Sequence, residues 1–235
     1  MSIDLVCSNN LEYIKTMEDN SIDLIYFDPP FSITEAKYDK ALDWDNLWKE
    51  MWRVLKEKRP IVIHSSQPFT YDLIASQRKH FKYTWYWDKI TKPTGFFFAK
   101  KQPLRIIEEV CVFYKGSSLY NPQMVLKDKP VVCGIRKQNL TTYFPRAKPV
   151  PPKTYTHSYP MHIIRMKRIL HKYSTRPVEL CEYFIKTYSN EGDTILDLTC
   201  SNAQSGIACK RTNRNYIGVD ISPEMIKDAK KNIGL

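Results

Sequence analysis

Apolar positions along the chain follow two alternating periods, which predict strands and helices in turn. Short runs rich in apolar and aromatic residues predict strands at residues 3–7, 22–27, 61–64, 83–87, 109–114, 194–197 and 216–220. Apolar residues at helical spacing predict helices at residues 10–18, 45–56, 176–188 and 204–210, and another that begins after Ser222 with Pro223 in its first turn. Strands that alternate with helices are typical of an α/β domain built on a largely parallel sheet.

The segment at residues 22–31 is the most informative part of this pattern. Its apolar strand runs directly into Asp28, Pro29, Pro30 and Phe31. The prolines end the strand, because neither can donate a hydrogen bond to a sheet ladder. An acid, a rigid turn and an aromatic ring are therefore expected at the carboxyl end of a buried strand, where open α/β sheets bind ligands.

These four residues suit chemistry on the exocyclic amine of a nucleobase, whose lone pair is delocalised into the ring. Asp28 can accept one amine hydrogen while the carbonyl of Pro29 accepts the other, which favours a pyramidal nitrogen. Phe31 offers a flat face for stacking the base. Positioning and electrostatics then supply most of the catalysis, without a covalent intermediate. The alternative is a plain turn, because Asp-Pro-Pro also occurs in turns without chemistry.

A second constellation lies near the end of the chain. The strand at residues 194–197 ends in Asp197, a turn leads into a helix, and the next strand ends in Asp220. An acid at the end of the second strand is placed to bind ribose hydroxyls, as in nucleotide-binding α/β domains. Each acid alone would more often be a structural cap, but the pair at this spacing predicts a nucleoside-cofactor site.

Composition and cysteine usage narrow the class of protein. The chain has 235 residues, of which 43% are hydrophobic, enough for one domain with an insertion. Its six cysteines form no CxxC pair, so reduced thiols are expected and no metal site is predicted. No signal peptide or long apolar run is present, which predicts a soluble, intracellular protein of the cytoplasm, nucleoid or nucleus.

The net charge of +11 is concentrated in one segment. Residues 129–178 contain no Asp or Glu, and prolines there disfavour long regular elements. We interpret residues 129–172 as an inserted segment that contacts nucleic acid, the alternative being a solubilising loop. The predicted nucleic-acid contacts are Arg136, Lys137, Arg146, Lys148, Lys153, Arg165, Lys167 and Arg168.

The motifs and their order resemble a β-class DNA amino-methyltransferase of the small, phage-type kind. In that family Asp-Pro-Pro-aromatic precedes a target-recognition insert and then the cofactor half-site, as here. Further similar segments include residues 66–69, 100–104, 113–115, 120–124, 176–180 and 213–218. The resemblance covers essentially the whole chain.

The resemblance implies a doubly wound, mixed, seven-stranded Rossmann-like sheet with an antiparallel strand at residues 109–114. It implies S-adenosylmethionine as cofactor, DNA as partner, and a flipped base held by Asp28, Pro29, Pro30 and Phe31. Asp before Pro-Pro favours adenine N6 over cytosine N4. The parts would be residues 1–128 for the target base, 129–172 for recognition and 173–235 for the cofactor. The implied cofactor contacts are Asn9, Phe27, Asp28, Thr175, Arg176, Asp197, Thr199, Ser201, Ala203, Asp220 and Ile221.

Departures from the family pattern gather on the cofactor side. Ser201 stands where the family usually has Gly, and Ala203 where it has Gly or a small polar residue. Asn9 replaces a family Asp, although its side-chain oxygen could still accept from an adenine amine. The family's His-Pro-Thr-Gln-Lys-Pro is replaced at residues 172–177. The main alternative function is therefore a catalytically silent subunit that binds nucleic acid. A methyltransferase that acts on cytosine N4 or on RNA is the next alternative. A homodimer or a partner subunit is also possible.

Overall fold

A computed structural model describes residues 1–32, 39–133, 152–168 and 176–235 of the chain. These residues form two compact units. The larger unit comprises Met1–Asn121 and His162–Leu235, and the smaller comprises Pro122–Met161. The predicted functional parts, which end at residues 128 and 172, are a different division of the chain and stay a prediction.

The larger unit is built on an eight-stranded mixed sheet, which confirms the predicted α/β class. The strands lie side by side in the order β1-β10-β9-β2-β3-β5-β4-β8. Only β5 runs antiparallel to its neighbours in this sheet, as the resemblance implies. The strands are β1 (Ile3–Cys7), β2 (Leu24–Phe27), β3 (Ile61–Ser65), β4 (Phe81–Asp88), β5 (Ile107–Phe113), β8 (Ile163–Arg165), β9 (Thr194–Asp197) and β10 (Asn215–Asp220).

The strand count differs from the expected seven because β8 pairs with β4 in parallel at the sheet edge. Only three residues long, β8 follows a proline-rich stretch in which the sequence predicts no element. Its residues alternate exposed, buried, exposed, and Ile164 is the one that faces the core. Arg165 thus lies on the main sheet, and His162–Leu235 as a whole belongs to the larger unit.

In the described residues six helices cover the sheet, and local signals explain where several of them begin. The side-chain oxygen of Asn9 caps the first helix, and Ser222 caps the last one directly before Pro223. The third helix, which Pro68 directly precedes, was not predicted from the sequence. The helices are α1 (Asn10–Lys15), α2 (Trp44–Val54), α3 (Phe69–Ser76), α4 (Val178–Tyr188), α5 (Gln204–Arg211) and α6 (Pro223–Ile233).

The core lies in two apolar layers, one on each face of the sheet. One layer packs α4 and α5 against the sheet, and its largest members include Trp87, Phe184 and Tyr216. The other packs α2 through Trp48 and Met51 against the opposite face. Because both faces are covered, all four residues of β2 are buried, as its continuous apolar run predicts.

The smaller unit contains a two-stranded antiparallel ribbon, β6 (Val125–Cys133) with β7 (Lys153–Ser158). The nine-residue β6 contradicts the expectation that prolines exclude long elements there. Pro130 is accommodated because the register shifts between Leu126 and Val131, so no ladder hydrogen bond is required of it. None of the described helices is both long and apolar enough to cross a bilayer.

Candidate active site

Asp28 directly follows β2, and its side chain retains 31% exposure at the edge of an otherwise buried strand. Its neighbour β9 ends in Asp197, and β10 beyond it ends in Asp220. Because these strands are parallel, their carboxyl ends meet at one edge of the sheet. The fold therefore brings together the two motifs that the sequence separates by more than 160 residues.

A chain of ion pairs of alternating sign lies behind Asp28. Arg176 Nη2 lies 2.7 Å from Asp28 Oδ1 and 3.0 Å from Glu108 Oε2. Glu108 Oε1 in turn lies 2.5 Å from Nζ of Lys89, which is fully buried. Arg176 directly precedes Pro177 and α4, so the start of that helix places its guanidinium between the two carboxylates.

The same guanidinium contacts a neutral pair of side chains. Arg176 Nε donates to His64 Nδ1 at 3.3 Å, and His64 Nε2 lies 2.8 Å from the hydroxyl of Tyr26. Burial and the nearby Arg176 hold the pKa of His64 well below its usual value, so the ring is neutral. Arg176 is therefore held by His64 and Glu108 as well as by Asp28, which fixes its orientation toward Asp28.

The network sets the protonation of its two carboxyl groups in opposite directions. Burial raises the pKa of Asp28 to about 6; Arg176 opposes this shift and Glu108 adds to it. Burial also acts to raise the pKa of Glu108, but Arg176 and Lys89 outweigh it and lower that pKa to about 2. Glu108 is thus ionised at neutral pH, whereas Asp28 changes its charge near pH 6.

The rest of the Asp28 motif is ordered by contacts on its other sides. Thr199 Oγ1 donates to the backbone carbonyl of Asp28 at 2.9 Å, which ties the ends of β2 and β9 together. Phe31 is half-buried and stacks on Phe69, with ring centroids 5.3 Å apart. Among the described residues, none donates a hydrogen bond to the carbonyl of Pro29 or to Oδ2 of Asp28.

Asp197 is buried, and its hydrogen bonds run to the protein itself. It accepts from the hydroxyls of Ser205 and Tyr216 and from the backbone N–H of Thr199. Burial raises its pKa to about 7, and these hydrogen bonds oppose the shift. Asp197 orders the turn after β9, and three of its hydrogen-bonding positions are already used.

The turn after β9 adopts the backbone conformation that glycine accommodates most easily. Ser201 and Ala203 have φ angles of 47° and 57°, in the left-handed region. These are the two positions at which the family pattern favours small residues or Gly. In this chain the left-handed conformation is adopted by residues with side chains, which strains the backbone at a cost of roughly 1 kcal/mol each.

Asp220 and Ile221 flank this turn. One oxygen of Asp220 accepts from Ser201 N and the other from Ser222 N, both at 2.9 Å. Each oxygen keeps further acceptor capacity, which two ribose hydroxyls could use. The side chain of Ile221 is 72% exposed, a flat apolar surface next to that carboxylate.

A cavity between the two motifs is lined by Asp28, Arg176, Thr199, Ser201 and Asn202, among others. Asn202 is only 2% exposed, and its side-chain Nδ2 has no hydrogen-bond partner among the described residues. A buried donor without an acceptor is costly, so the cavity suits a ligand that brings one. The amino-acid carboxylate of S-adenosylmethionine is such an acceptor, and the residues present therefore fit that cofactor.

The remaining predicted cofactor residues differ in where they lie. The side-chain oxygen of Asn9 accepts from the backbone N–H groups of Leu11 and Glu12 and so caps α1, while its contact with the cofactor stays a prediction. Phe27 is fully buried in the core, where it packs beside Trp44, and only its backbone can reach a ligand. Thr175 lies outside the described residues.

The predicted nucleic-acid contacts divide between the two units. Lys153 lies on β7 of the smaller unit, with Nζ 5.6 Å from the centroid of the Tyr155 ring. Arg165 on β8 is 77% exposed and lies 3.5 Å from Asp88, Lys167 is exposed, and Arg168 is half-buried. Arg136, Lys137, Arg146 and Lys148 lie outside the described residues.

Four residues of the site were not predicted from the sequence: Glu108, Lys89, His64 and Tyr26. A signal was present, because His64 directly follows an apolar run and Glu108 lies just before another one. Polar groups in such runs are buried at a cost and need partners. Which partners they find depends on strands far apart in sequence. In the described part of the chain, no cluster of His, Cys, Asp and Glu could hold a metal ion.

Comparison of the sequence with known proteins matches the chain to one family. The family model described as DNA methylase, of the N6/N4 kind, matches residues 22–231. The type II methyltransferase M.HpaI of Haemophilus parainfluenzae is 28% identical, over 97% of this chain and 73% of that protein. The DNA adenine methyltransferase YhdJ of Escherichia coli K12 is 25% identical, over 95% of this chain and 80% of its own length.

The fold is also that of a solved enzyme complex. The crystal structure of the M1.HpyAVI–SAM complex superposes with a TM-score of 0.63 at 19% sequence identity. The superposition covers 99% of this chain and 100% of the other. Identity this low speaks for the fold alone, whereas the family model also spans the two motifs described above.

Proposed function

We propose that this chain, which belongs to the N6/N4 DNA methylase family, methylates N6 of an adenine extruded from the DNA stack. It is an S-adenosylmethionine-dependent DNA methyltransferase of the N6/N4 type. The proposal adds the choice of base and the residues that act on it. It rests chiefly on one observation, the half-exposed Asp28 carboxylate held through a single oxygen at the rim of a buried sheet.

In this proposal Asp28 and Pro29 hold the amine. The Oδ2 oxygen of Asp28 accepts a hydrogen bond from one N–H of the amine, and the carbonyl of Pro29 accepts one from the other. This arrangement favours a pyramidal nitrogen with an available lone pair. Phe31, backed by Phe69, stacks against the base. S-adenosylmethionine, when bound, supplies the electrophilic methyl group. Fixed orientation and preorganised charge account for most of the rate enhancement.

We assign the cofactor to the cavity beside Asp28. Asp220 would bind the ribose hydroxyls, Ile221 would pack against the adenine ring of the cofactor, and Asn202 would donate to its carboxylate. Thr199 and Ser201 border the same cavity. Asp197 and Ala203 would act indirectly, because both are buried and shape the turn.

We infer that exposed basic residues outside the cavity hold the DNA phosphates. Arg165 and Lys167 on the larger unit and Lys153 on the smaller unit are all exposed. The four basic residues outside the described ranges remain predicted contacts of the same kind. A protein that acts on DNA would work in the cytoplasm, nucleoid or nucleus, and a homodimer or partner subunit stays a prediction.

The choice of adenine is supported by Asp at the first motif position and by the name of the relative YhdJ. The experiment is expression in a host that lacks its own DNA methylation, followed by mass spectrometry of the DNA nucleosides. N6-methyladenine above the vector control is expected. N4-methylcytosine would replace adenine by cytosine in the proposal, and mapping the marks would give the recognition sequence.

A catalytically silent DNA-binding subunit is the second candidate, favoured by the strained backbone at Ser201 and Ala203. Both candidates predict DNA binding, so cofactor binding separates them. Calorimetric titration with S-adenosylmethionine should give saturable heat if the chain is an enzyme. Absence of heat at millimolar cofactor would favour the silent subunit.

A further inference from the structure

The connection between β4 and β5 is a loop with a pinned base and an aromatic tip. Thr94 and Arg105 exchange backbone hydrogen bonds of 2.8 and 2.9 Å, which close the loop below its tip. Gly95 then turns the chain with a φ of 91°, a conformation that favours glycine, and Phe96–Phe98 form a 3-10 turn. The tip is therefore ordered by its own backbone.

Three consecutive phenylalanines at this tip face solvent. Phe96, Phe97 and Phe98 are 66%, 93% and 46% exposed. The Phe97 and Phe98 rings lie edge to face, with centroids 5.1 Å apart and planes at 85°. A large apolar surface that an ordered backbone holds in water marks a site of interaction rather than of folding.

The charge of the loop indicates what kind of partner covers these rings. Residues 89–107 contain no Asp or Glu, and Lys92, Lys100, Lys101 and Arg105 flank the phenylalanines in the sequence. Lys100, Lys101 and Arg105 are exposed. Aromatic rings interspersed with cations suit stacked bases joined by phosphates, whereas an apolar protein surface would leave the cations without partners.

The position of the loop ties it to the site of Asp28. β4 and β3 are both antiparallel to β5, so β4 ends at the same sheet edge as β2 and β3. The base of the loop also belongs to the ion-pair chain, because Lys89 directly follows β4 and Glu108 lies at the start of β5. Two ion pairs, Lys89–Glu108 and Glu108–Arg176, separate the loop from the arginine that holds Asp28.

We propose that residues 90–105 form a second DNA contact, in which Phe97 stacks in the base column beside the extruded base. Lys100 and Lys101 neutralise the neighbouring phosphates in this contact. The inference rests on the proposed function and deepens it, because it names the side chain that occupies the base stack next to the position of the extruded base. Bases that have left the regular stack are held by stacking on aromatic side chains, which an aliphatic side chain of similar size does not replace.

The test uses the full chain with three substitutions of Phe97. Phe97→Ala removes the ring, Phe97→Leu keeps apolar bulk without a π face, and Phe97→Trp keeps a ring. We expect Ala and Leu to weaken binding of a short mixed-sequence duplex about fivefold or more, and Trp to stay within about twofold. The indole emission that Phe97→Trp adds to that of the unmodified protein should be quenched by DNA. Equal affinity for all variants, without quenching of this added emission, would overturn the proposal.

A second readout reports on the extruded base itself. In a duplex with 2-aminopurine at the mapped target, its fluorescence rises on unstacking, and Phe97→Ala should reduce that rise with cofactor affinity unchanged. Lys100→Gln combined with Lys101→Gln should lower the slope of log affinity against log salt by about 2. A slope equal to that of the unmodified protein would contradict the phosphate contacts.

These outcomes are distinct from failure of the proposed function. If no methyladenine is found but DNA quenches the emission added by Phe97→Trp, the contact stands and the adenine assignment falls. If methyladenine forms equally well with Phe97→Ala, the function stands and the contact falls. Dissociation of a homodimer by Phe97→Ala with DNA affinity unchanged would assign the rings to a second copy and overturn the proposal.

Discussion

The two halves of the site are held by different forces. On the side of Asp28, buried charges alternate from Lys89 through Glu108 and Arg176 to the carboxylate. On the other side, the carboxylate of Asp220 is held by hydrogen bonds from the backbone N–H groups of Ser201 and Ser222. The first half is held mainly by buried charges, and the second mainly by hydrogen bonds that carboxylates accept from the backbone.

This difference indicates where each half can tolerate change. Removing one member of a buried ion chain leaves its partner without compensation, which is strongly unfavourable. A turn that binds through its backbone N–H groups tolerates other side chains as long as each residue can adopt the required φ angle. Ser201 and Ala203 can therefore occupy a turn whose left-handed φ angles favour glycine. Substitutions are therefore expected to be tolerated on the cofactor side more readily than on the side of Asp28.

The largest expected effect is that of Asp28→Ala. Loss of the acceptor carboxylate should reduce single-turnover methyl transfer roughly 10²- to 10⁴-fold, while the cofactor Kd stays nearly unchanged. Rapid-quench assays with calorimetry measure both quantities. Asp45→Asn, at an exposed position on α2, is the matched control and should leave both unchanged. Retained transfer in Asp28→Ala would remove this residue from the mechanism.

Asp220→Ala should give the opposite pattern. Loss of a charged acceptor should raise the Kd for S-adenosylmethionine about 10- to 100-fold, with a smaller change in the rate at saturating cofactor. Calorimetry and saturation kinetics are the measurements. If the affinity stayed the same, Asp220 would be only a cap for the turn and not a ribose ligand.

Charge reversal of the basic residues on and after β8 tests a third region, which is separate from the surroundings of Asp28 and Asp220. Replacing Arg165, Lys167 and Arg168 by Glu should weaken DNA binding and lower its salt slope by about 3, with cofactor affinity unaltered. Fluorescence anisotropy at several salt concentrations measures the slope. An unchanged slope would make these residues an ordinary solvated surface.

The smallest expected effect is that of Ser201→Gly. Relief of the left-handed φ should stabilise the fold by up to about 1 kcal/mol, partly offset by the greater freedom of Gly in the unfolded chain. Ser8→Gly is the control, because Ser8 has no left-handed φ and should lose stability. Urea unfolding of both variants provides the comparison. Destabilisation by Ser201→Gly would mean that the serine side chain itself supports the turn.

Much of the fold could be predicted because its signals are local. The apolar run of β2 and the prolines after it mark both a buried strand and its end. β8 and α3 were missed for the converse reason: β8 has three residues, and its pairing with β4 depends on a distant strand. Pro130 shows the same limit, since only the register of its partner strand permits it within β6.

Sequence reasoning finds candidate residues where the residue type itself suggests the chemistry. It does not find residues whose role depends on contacts with distant segments of the chain. Asp28 and Asp220 were predicted because each acid ends an apolar strand and stands in a motif, Asp28 before two prolines and Asp220 at a fixed spacing from Asp197; their roles stay predictions. The cap that Asn9 forms was not predicted, because its oxygen can cap a helix or accept from a ligand and the sequence does not choose. The chain from Lys89 to Arg176 joins three segments, and no local pattern reports that they meet.

The most direct test of the account is the pH dependence of single-turnover methyl transfer by the unmodified protein. Burial raises the pKa of Asp28 to about 6, so the acceptor carboxylate is protonated, and transfer should be lost, as the pH falls through about 6. Because the charge of Glu108 adds to that shift, Glu108→Gln should move the acidic limb to lower pH. A rate that stays constant from pH 8 to about 5, with DNA and cofactor still bound, would contradict an ionised Asp28 as the acceptor of the amine hydrogen.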